Sequence, residues 1–502
     1  MKTYEPWKSV NGIVKHPVDE PKGPWNGDLR GPERPYMRDY SQILTMKIML
    51  AFQDMNDRTK SDVLLRFDEA LERIKQIDAI TLGIPKLVYL VGWNHLGHDD
   101  KFPDWSVVNP FLCRPGSNDP VGDLRWLMQE AQKYNTTVSL HLNSSDAYQD
   151  SPLWDELLAN DVIGTRNGEL YAYGAWQGKT VYQIVYKNVW EKGYYKQWVD
   201  DLLAMLPELK IAGSIHSDAF LCRWTDQSSY AEEEAARRQM IRYWRDCGMD
   251  LTSEFMYGGG EEIGQDMDYI PALTANHVES SGLIGLQAYA WHLAQTEDRW
   301  FKRPASLLAG GGYPHLENAF IMEEEAAPIA FLFGCNMQGE DIVLEGCRKG
   351  TDWKTDFRNR FFTTTAMYVY LNQFANSEMM HVEDGMVLKK AQNVVAYYGK
   401  TPETRTITKD GILVRQGDNV FVPVVWIKDY PAVAAYSETG YTDRAWTLQP
   451  AWADVSAADI YEVTTDGPVL LHKAVPIAEG RVLTLSLEPK QAVCIVPAGQ
   501  KI

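Results

Sequence analysis

The 502-residue sequence offers little to bind a polyanion, cross a membrane or build a disulfide framework. Its 49 basic residues face 68 acidic ones, a formal charge of −19, and no block of Lys and Arg interrupts that balance. Nucleic acid and anionic membrane surfaces are therefore excluded as partners on electrostatic grounds. No stretch reaches the roughly 18 consecutive apolar residues of a membrane span. The first residues, Met-Lys-Thr-Tyr-Glu-Pro-Trp, contain no apolar signal core, so the chain as given reads as cytoplasmic, although a removed signal peptide would leave no trace. The cysteines, Cys113, Cys222, Cys247, Cys335, Cys347 and Cys494, have no CxxC spacing and mostly sit in apolar runs. They read as reduced, buried thiols rather than disulfides or a zinc site. The glycine runs 258–260 and 310–312 lack the Lys and Ser/Thr of a phosphate loop and read as hinges or tight loops.

What is present is length enough for a large domain plus an accessory one, with apolar periodicity that alternates between strand and helix. Residues 1–44, rich in Pro, Gly and charge, read as an irregular arm. Strands are expected at 45–52, 87–91 and 137–142, and helices at 62–77, 124–131, 153–159 and 188–206. Two further strands, 211–217 and 249–253, flank a helix whose stripe is Ala236, Met240, Trp244 and Cys247. Segments 285–290 and 327–333 are candidate later strands, and 357–374 a helix. This alternation predicts an α/β fold, a (β/α)8 TIM-like barrel over residues 45–383. From 384 to 502, short strands separated by turn signals predict a C-terminal antiparallel β-sandwich domain.

Both of these further strands stop on a carboxylate: 211–217 delivers Asp218 and 249–253 delivers Glu254. Two acids at the C-terminal ends of neighbouring barrel strands face one cleft, the minimum equipment for cleaving a glycosidic bond. Asp218 follows Ser214, His216 and Ser217, surroundings that keep a nucleophile ionised. Glu254 precedes Phe255, Met256 and Tyr257, an apolar wall that keeps an acid protonated. Each acid alone would pass for a helix cap; their joint occurrence carries the argument. The loop after the second strand reads Gly92-Trp-Asn-His-Leu-Gly-His-Asp-Asp-Lys-Phe-Pro-Asp-Trp105. Trp93 and Trp105 suit stacking on a pyranose unless they plug the barrel mouth, while Asn94, His98 and Asp99 suit vicinal hydroxyls. His141 and Asn143 close the next strand, with Asp146 and Tyr148 beyond; Asn143 is the one aimed at substrate. Further aromatic clusters, Tyr173 with Trp176 and Gln177, Trp224, Tyr257, and Tyr289 with Trp291 and His292, divide between substrate contact and packing.

On the 92–105 segment the sequence resembles glycoside hydrolase family 101, the endo-α-N-acetylgalactosaminidases, and the related family 129 of α-N-acetylgalactosaminidases. Around the two acids the likeness lies in order and spacing more than in wording. It implies a retaining enzyme with Asp218 as nucleophile and Glu254 as acid/base, and sugar contacts from His98 and Asp99. The expected activity is hydrolysis of α-linked N-acetylgalactosamine, or a similar galacto-configured glycoside such as Galβ1,3GalNAc, by double displacement. The expected partner is a carbohydrate substrate. No cofactor and no metal are expected, with a structural calcium left open; the oligomeric state has no signature. Two alternatives stand beside this reading. One is a metal-dependent barrel hydrolase using His95, His98, His141, His216 and Asp218; the other is a non-catalytic carbohydrate-binding barrel.

Overall fold

The computed structural model describes residues 37–38, 42–218, 220–253, 331–332, 334, 352–371, 373–374 and 376–502. The first half runs β1 (Leu44–Met49), β2 (Ala51–Gln53), β3 (Ser61–Val63), α1 (Phe67–Ile80), β4 (Lys86–Val91), α2 (Pro120–Glu130) and β5 (Thr136–Asn143). It continues with β6 (Asp146–Ala147), α3 (Trp154–Ala159), β7 (Thr165–Arg166), β8 (Glu169–Leu170), β9 (Ala172–Trp176) and β10 (Lys179–Gln183). After α4 (Tyr186–Glu191), α5 (Tyr194–Met205) and α6 (Leu209–Ala212) come β11 (Ser214–Asp218), α7 (Tyr230–Asp246) and β12 (Asp250–Ser253).

Five strands form one sheet in the order β1-β4-β5-β11-β12, every pairing parallel. One face is apolar (Leu44, Met46, Ile48, Val88, Leu90, Val138, Leu140, Ile215 and Leu251) and belongs to the same core as the helical stripe Ala236, Met240 and Trp244. The other face is polar and just as buried. Register lines up Lys47, Tyr89, Ser139, Ser214 and Asp250 as one row, and Val91, His141, His216 and Thr252 as the next. Buried polar side chains need partners. Here they find each other: Tyr89 Oη and Ser214 Oγ lie 2.5 Å apart, Ser139 Oγ donates to Ser214 O at 2.5 Å, and His216 Nδ1 sits 2.9 Å from Thr252 Oγ1.

Several element boundaries differ from the sequence reading, each for a local reason. Residues 61–63 are a strand paired with β2, and α1 starts only at Phe67, where the Glu69 carboxylate accepts the Arg66 N–H at 2.8 Å. The expected helix 188–206 breaks at Gly193, whose φ of 83° no other residue adopts as readily. Ile211 and Ala212 close α6 rather than open a strand. The single helix expected at 357–374 is α8 (Trp353–Arg360), a π-turn at Phe361–Thr365 and α9 (Ala366–Leu371). There the Thr363 and Thr364 hydroxyls donate back to Asn359 O (2.9 Å) and Arg360 O (2.6 Å), a bonding pattern that competes with the regular ladder. Phe331 and Leu332, within the expected strand 327–333, are helical; segment 285–290 lies outside the described residues.

The C-terminal part comprises β13 (Asn376–Val382), β14 (Gly385–Lys390), β15 (Val394–Gly399), β16 (Thr406–Lys409), β17 (Ile412–Gln416) and β18 (Asn419–Pro423). It ends with β19 (Val433–Ser437), β20 (Tyr441–Thr447), β21 (Ala457–Thr464), β22 (Gly467–Pro476), β23 (Val482–Leu487) and β24 (Gln491–Pro497). Ten of these strands form one antiparallel sheet, β13-β14-β15-β16-β17-β18-β19-β24-β21-β22, and β20 pairs with β23. Alternation divides its residues between two cores. Val420, Val422, Ala434, Tyr436, Cys494 and Val496 join the core of the parallel sheet, whereas Phe421, Val433, Ala435, Val493 and Ile495 pack on Trp446, Leu483 and Leu485 of the β20–β23 pair. Among the described residues no helix is long and apolar enough to cross a membrane.

Candidate functional site

The loop after β4 is pressed against β2. Gly92 (φ +74°) and Gly97 (φ +132°) approach so closely that a Cβ would lie 2.1 Å from Ala51 O in one case and 2.5 Å from the Phe52 carbonyl carbon in the other. Only glycine permits that contact, and it lets His98 N donate to Ala51 O at 2.9 Å. Asp100, fully buried, accepts from Leu96 N (3.1 Å) and from the Lys179 ammonium, which also bridges to Asp150 at 2.8 Å. His95 turns to Asp104, with Nε2 3.2 Å from Oδ2. Burial opposes the Asp104 charge, but hydrogen bonds from His95 and Ser106 outweigh it and hold the carboxyl below its usual range.

These anchors bring His98 and Asp99 over the C-terminal ends of β5 and β11. Register sets His216 opposite His141 and Asp218 opposite Asn143, so both strands aim their polar residues at the same face. His141 Nε2 lies 3.4 Å from Asp218 Oδ2, and the His141 ring centre is 5.2 Å from that of His98 and 5.0 Å from that of His216. His98 Nε2 is 3.4 Å from Asp99 Oδ2. Burial, with Lys47 and His141 nearby, pushes His216 well below the usual histidine range, so it is a neutral imidazole. Asp218 keeps 16% of its side chain accessible, as a group that must meet a ligand requires. His98, His141 and Asp218 each offer a ligand atom within 4.8 Å of the others, a set that would also accept a metal ion. The other two histidines of the metal alternative are engaged elsewhere, His95 with Asp104 and His216 with Thr252.

The turn after β5 adds a group, Asp146, that the sequence reading named without giving it a role. Asn143 Oδ1 accepts from Ser145 N and Asp146 N, both at 2.9 Å, while its Nδ2 is buried without a partner among the described residues. Asp146 is 1% exposed. Burial pushes its carboxyl up to about 7; the Tyr173 hydroxyl pulls the other way, Asp218 and Asp99 raise it further, and Ser145 pulls it down again. The signal available in the sequence was only the polar run Asn143-Ser-Ser-Asp146 directly after an apolar strand.

The remaining sequence candidates scatter. Trp93 is fully buried and donates its indole N–H to His141 O at 2.9 Å; Trp105, 3% exposed, donates to Asn143 O at 3.2 Å. Both tie the loop to β5 and present no open ring face. Trp176 is 49% exposed at the end of β9. Gln177 in the following turn lines a cleft of about 400 Å³ with Phe52, Gln53, Asp54 and Asp62. Trp224 is 39% exposed, with the Arg166 guanidinium 4.0 Å from its ring and Arg166 Nε donating to its carbonyl at 2.9 Å. Glu254, Tyr257 and Trp291 lie outside the described residues.

Residues 47–263 match the endo-α-N-acetylgalactosaminidase family, glycoside hydrolase family 101. That range contains the 92–105 segment together with Asp218 and Glu254, so the resemblance read from the sequence holds there. No curated protein matches the chain. Among solved structures, ligand-free α-N-acetylgalactosaminidase NagBb from Bifidobacterium bifidum aligns at a TM-score of 0.47 and 12% identity, covering 73% of this chain and 57% of that one. An α-amylase from Anoxybacillus gives 0.44 and 11%, with 93% and 100% covered. The galactosidase domain of the α-galactosidase-sucrose kinase AgaSK gives 0.42 and 13%, with 90% and 54% covered. At these TM-scores the likenesses decide neither fold nor activity, and the chain spans less than two thirds of NagBb's length.

Proposed function

On the premise that residues 47–263 are a glycoside hydrolase segment of the family 101 kind, we propose that the protein is a retaining α-glycosidase. Its substrate is α-linked N-acetylgalactosamine or a similar galacto-configured sugar. The observation that carries this is Asp218 itself: partly exposed at the C-terminal end of a parallel strand, flanked by His141, and overhung by His98 and Asp99. Asp218 attacks the anomeric carbon while Glu254 protonates the leaving oxygen; a water activated by Glu254 then releases the sugar with its configuration retained. In support, β12 neighbours β11 with Ser253 opposite Ser217, and Ser253 is the residue before Glu254. Asn143 Nδ2, without a partner among the described residues, is a donor suited to a sugar hydroxyl. His98, Asp99, Trp176, Gln177 and Trp224 complete the proposed substrate contacts, with Tyr257 and Trp291 from the sequence.

The proposal extends to architecture. A sheet whose polar face is buried needs a cover for that face, and closure into a (β/α)8 barrel would supply it in layers of inward side chains. The arm 1–44, barrel 45–383 and β-sandwich 384–502 are the proposed division. No cofactor takes part in this chemistry. The test is hydrolysis of a panel of aryl α- and β-glycosides, including the Galβ1,3GalNAc disaccharide, with the product anomer followed by NMR. Retention with an α-N-acetylgalactosaminide supports the proposal; inversion, or turnover of β-glycosides alone, sinks it. Asp218→Asn is expected to lower kcat by roughly a thousandfold or more while the fold is kept.

The second reading, a metal-dependent hydrolase, draws on the convergence of His98, His141 and Asp218. There Asp218 would be a ligand instead of a nucleophile. Full activity after exhaustive chelation would discard it; loss restored by a divalent metal would favour it.

A further inference from the structure

Asp146 is a carboxyl buried beside the candidate centre, and it is wired into three separate segments. Its Oδ1 accepts the Tyr173 hydroxyl of β9 and the Ser145 hydroxyl (2.9 Å), and its backbone pairs with Gln183 of β10. The Arg223 guanidinium, on the loop that follows Asp218, stacks 3.9 Å from the Tyr173 ring and donates to Gln183 Oε1 at 2.8 Å. Asp146, Tyr173, Arg223 and Gln183 thus form a closed circuit. It joins the turn carrying Asn143, the β9–β10 hairpin and the chain leaving Asp218.

The charged and titratable groups around Asp146 come from each element packed on it. Asp99 reaches it from the β4–α2 loop and Asp218 from β11; Tyr173 comes from β9 and Tyr148 from its own turn. Arg223 acts on Tyr173, and Lys179 lies 5.6 Å from the Tyr148 ring. Two of these neighbours are like charges, and no cation pairs directly with Asp146 among the described contacts. A carboxyl so placed is cheaper to bury neutral than ionised. Its proton also spares the centre a second negative charge beside Asp218.

We propose that Asp146 is a positioning residue of this site: it stays a carboxylic acid in the working protein, anchors the Tyr173 hydroxyl and adds no second charge beside Asp218. This rests on the glycosidase reading, and two measurements separate the two ideas. The first uses the full chain with an aryl α-N-acetylgalactosaminide. Asp146→Ala lowers kcat tenfold or more, and Tyr173→Phe reproduces much of that loss because the same circuit opens. Asp146→Asn, neutral and of the same shape, recovers most of it, with the acid limb of the pH profile unmoved. If Asp146→Asn falls as far as Asp146→Ala, or its acid limb moves by half a pH unit or more, the charge is in use and the proposal is overturned.

The second measurement is the urea midpoint between pH 5 and pH 8, which needs no substrate. A carboxyl whose folded pKa lies above its unfolded one holds its proton only in the folded state between those two values. Wild-type stability is therefore lost as pH rises from about 4 toward about 7, the range set by this group. Asp146→Asn lacks that loss, so its midpoint gains on the wild type toward pH 8. Parallel curves would overturn the proposal even if the enzyme is active. A wild type that turns over no glycoside would instead sink the glycosidase reading, and the urea curves alone would then judge the protonation of Asp146.

Discussion

Trp93 and Trp224 show how one residue type serves two ends at this site. The Trp93 indole is wholly enclosed and bonded to the His141 carbonyl, whereas Trp224 holds a partly open ring on a loop braced by Arg166. Trp93→Ala is expected to cost about 3–5 kcal/mol, read as a shift in the urea midpoint, because it empties a packed volume and orphans a buried carbonyl. Trp224→Ala should change stability by about 1 kcal/mol at most. Its effect should fall on KM, several-fold upward, if Trp224 is a platform for sugar. An unchanged KM would return it to packing. In sequence the two tryptophans look alike, since each stands in a polar loop after a strand. What separates them is Gly92 and Gly97, which pull one loop onto β2 and fold its first tryptophan inward.

At the scale of elements, the junction of α4 and α7 is a second place where a buried acid takes a backbone role. Glu233, buried in the first turn of α7, accepts from Tyr186 N (2.8 Å) and Lys187 N (3.2 Å), the N–H groups that open α4. A helix start without its own cap is thus satisfied by its neighbour. Burial raises the Glu233 carboxyl to about 7, against hydrogen bonds from Ser228, Tyr186 and Lys187. Its folded pKa exceeds the unfolded one, so its share of stability is complete below about pH 4.5 and is lost as pH rises toward 7. Glu233→Gln should flatten that part of the curve, measurable as a smaller fall in urea midpoint between pH 5 and pH 7. A slope equal to that of wild type would show the acid to be ionised throughout. The stripe of α7 was readable from its period, whereas this cross-helix cap was not: the two partners are 46 or 47 positions apart.

On the scale of the whole molecule, the parallel sheet and the C-terminal sheet share one core. A single cluster of buried residues runs from Leu44 through Trp353 and Phe361 to Val496. Trp426 donates across it to Leu82 O at 3.1 Å, and Arg415 donates to Thr363 O at 3.1 Å. Deleting residues 376–502 would therefore strip one face of α8 and α9 as well as remove a domain. The truncated chain is expected to be aggregated or molten, scored by its soluble fraction and by loss of near-ultraviolet circular dichroism. A soluble, cooperatively folding fragment would show instead that the first unit needs no cover. One cooperative urea transition for the intact chain is the matching expectation.

The sequence by itself determined the parts set by local pattern: the buried parallel strands, the stripe of α7, the antiparallel run after residue 384 and the polar strand ends carrying His98, His141, Asn143 and Asp218. Period and strand-end chemistry are written along the chain, so they can be read there. Only the tertiary structure decided which of those polar groups meet. Register set His141 against His216 and Asn143 against Asp218. Two glycine contacts swung His98 inward, and packing turned Trp93 into a plug. The enclosure of Asp146 beside Tyr173, with the field of Asp99 and Asp218, depends on four segments meeting in space, and no window of sequence contains them together.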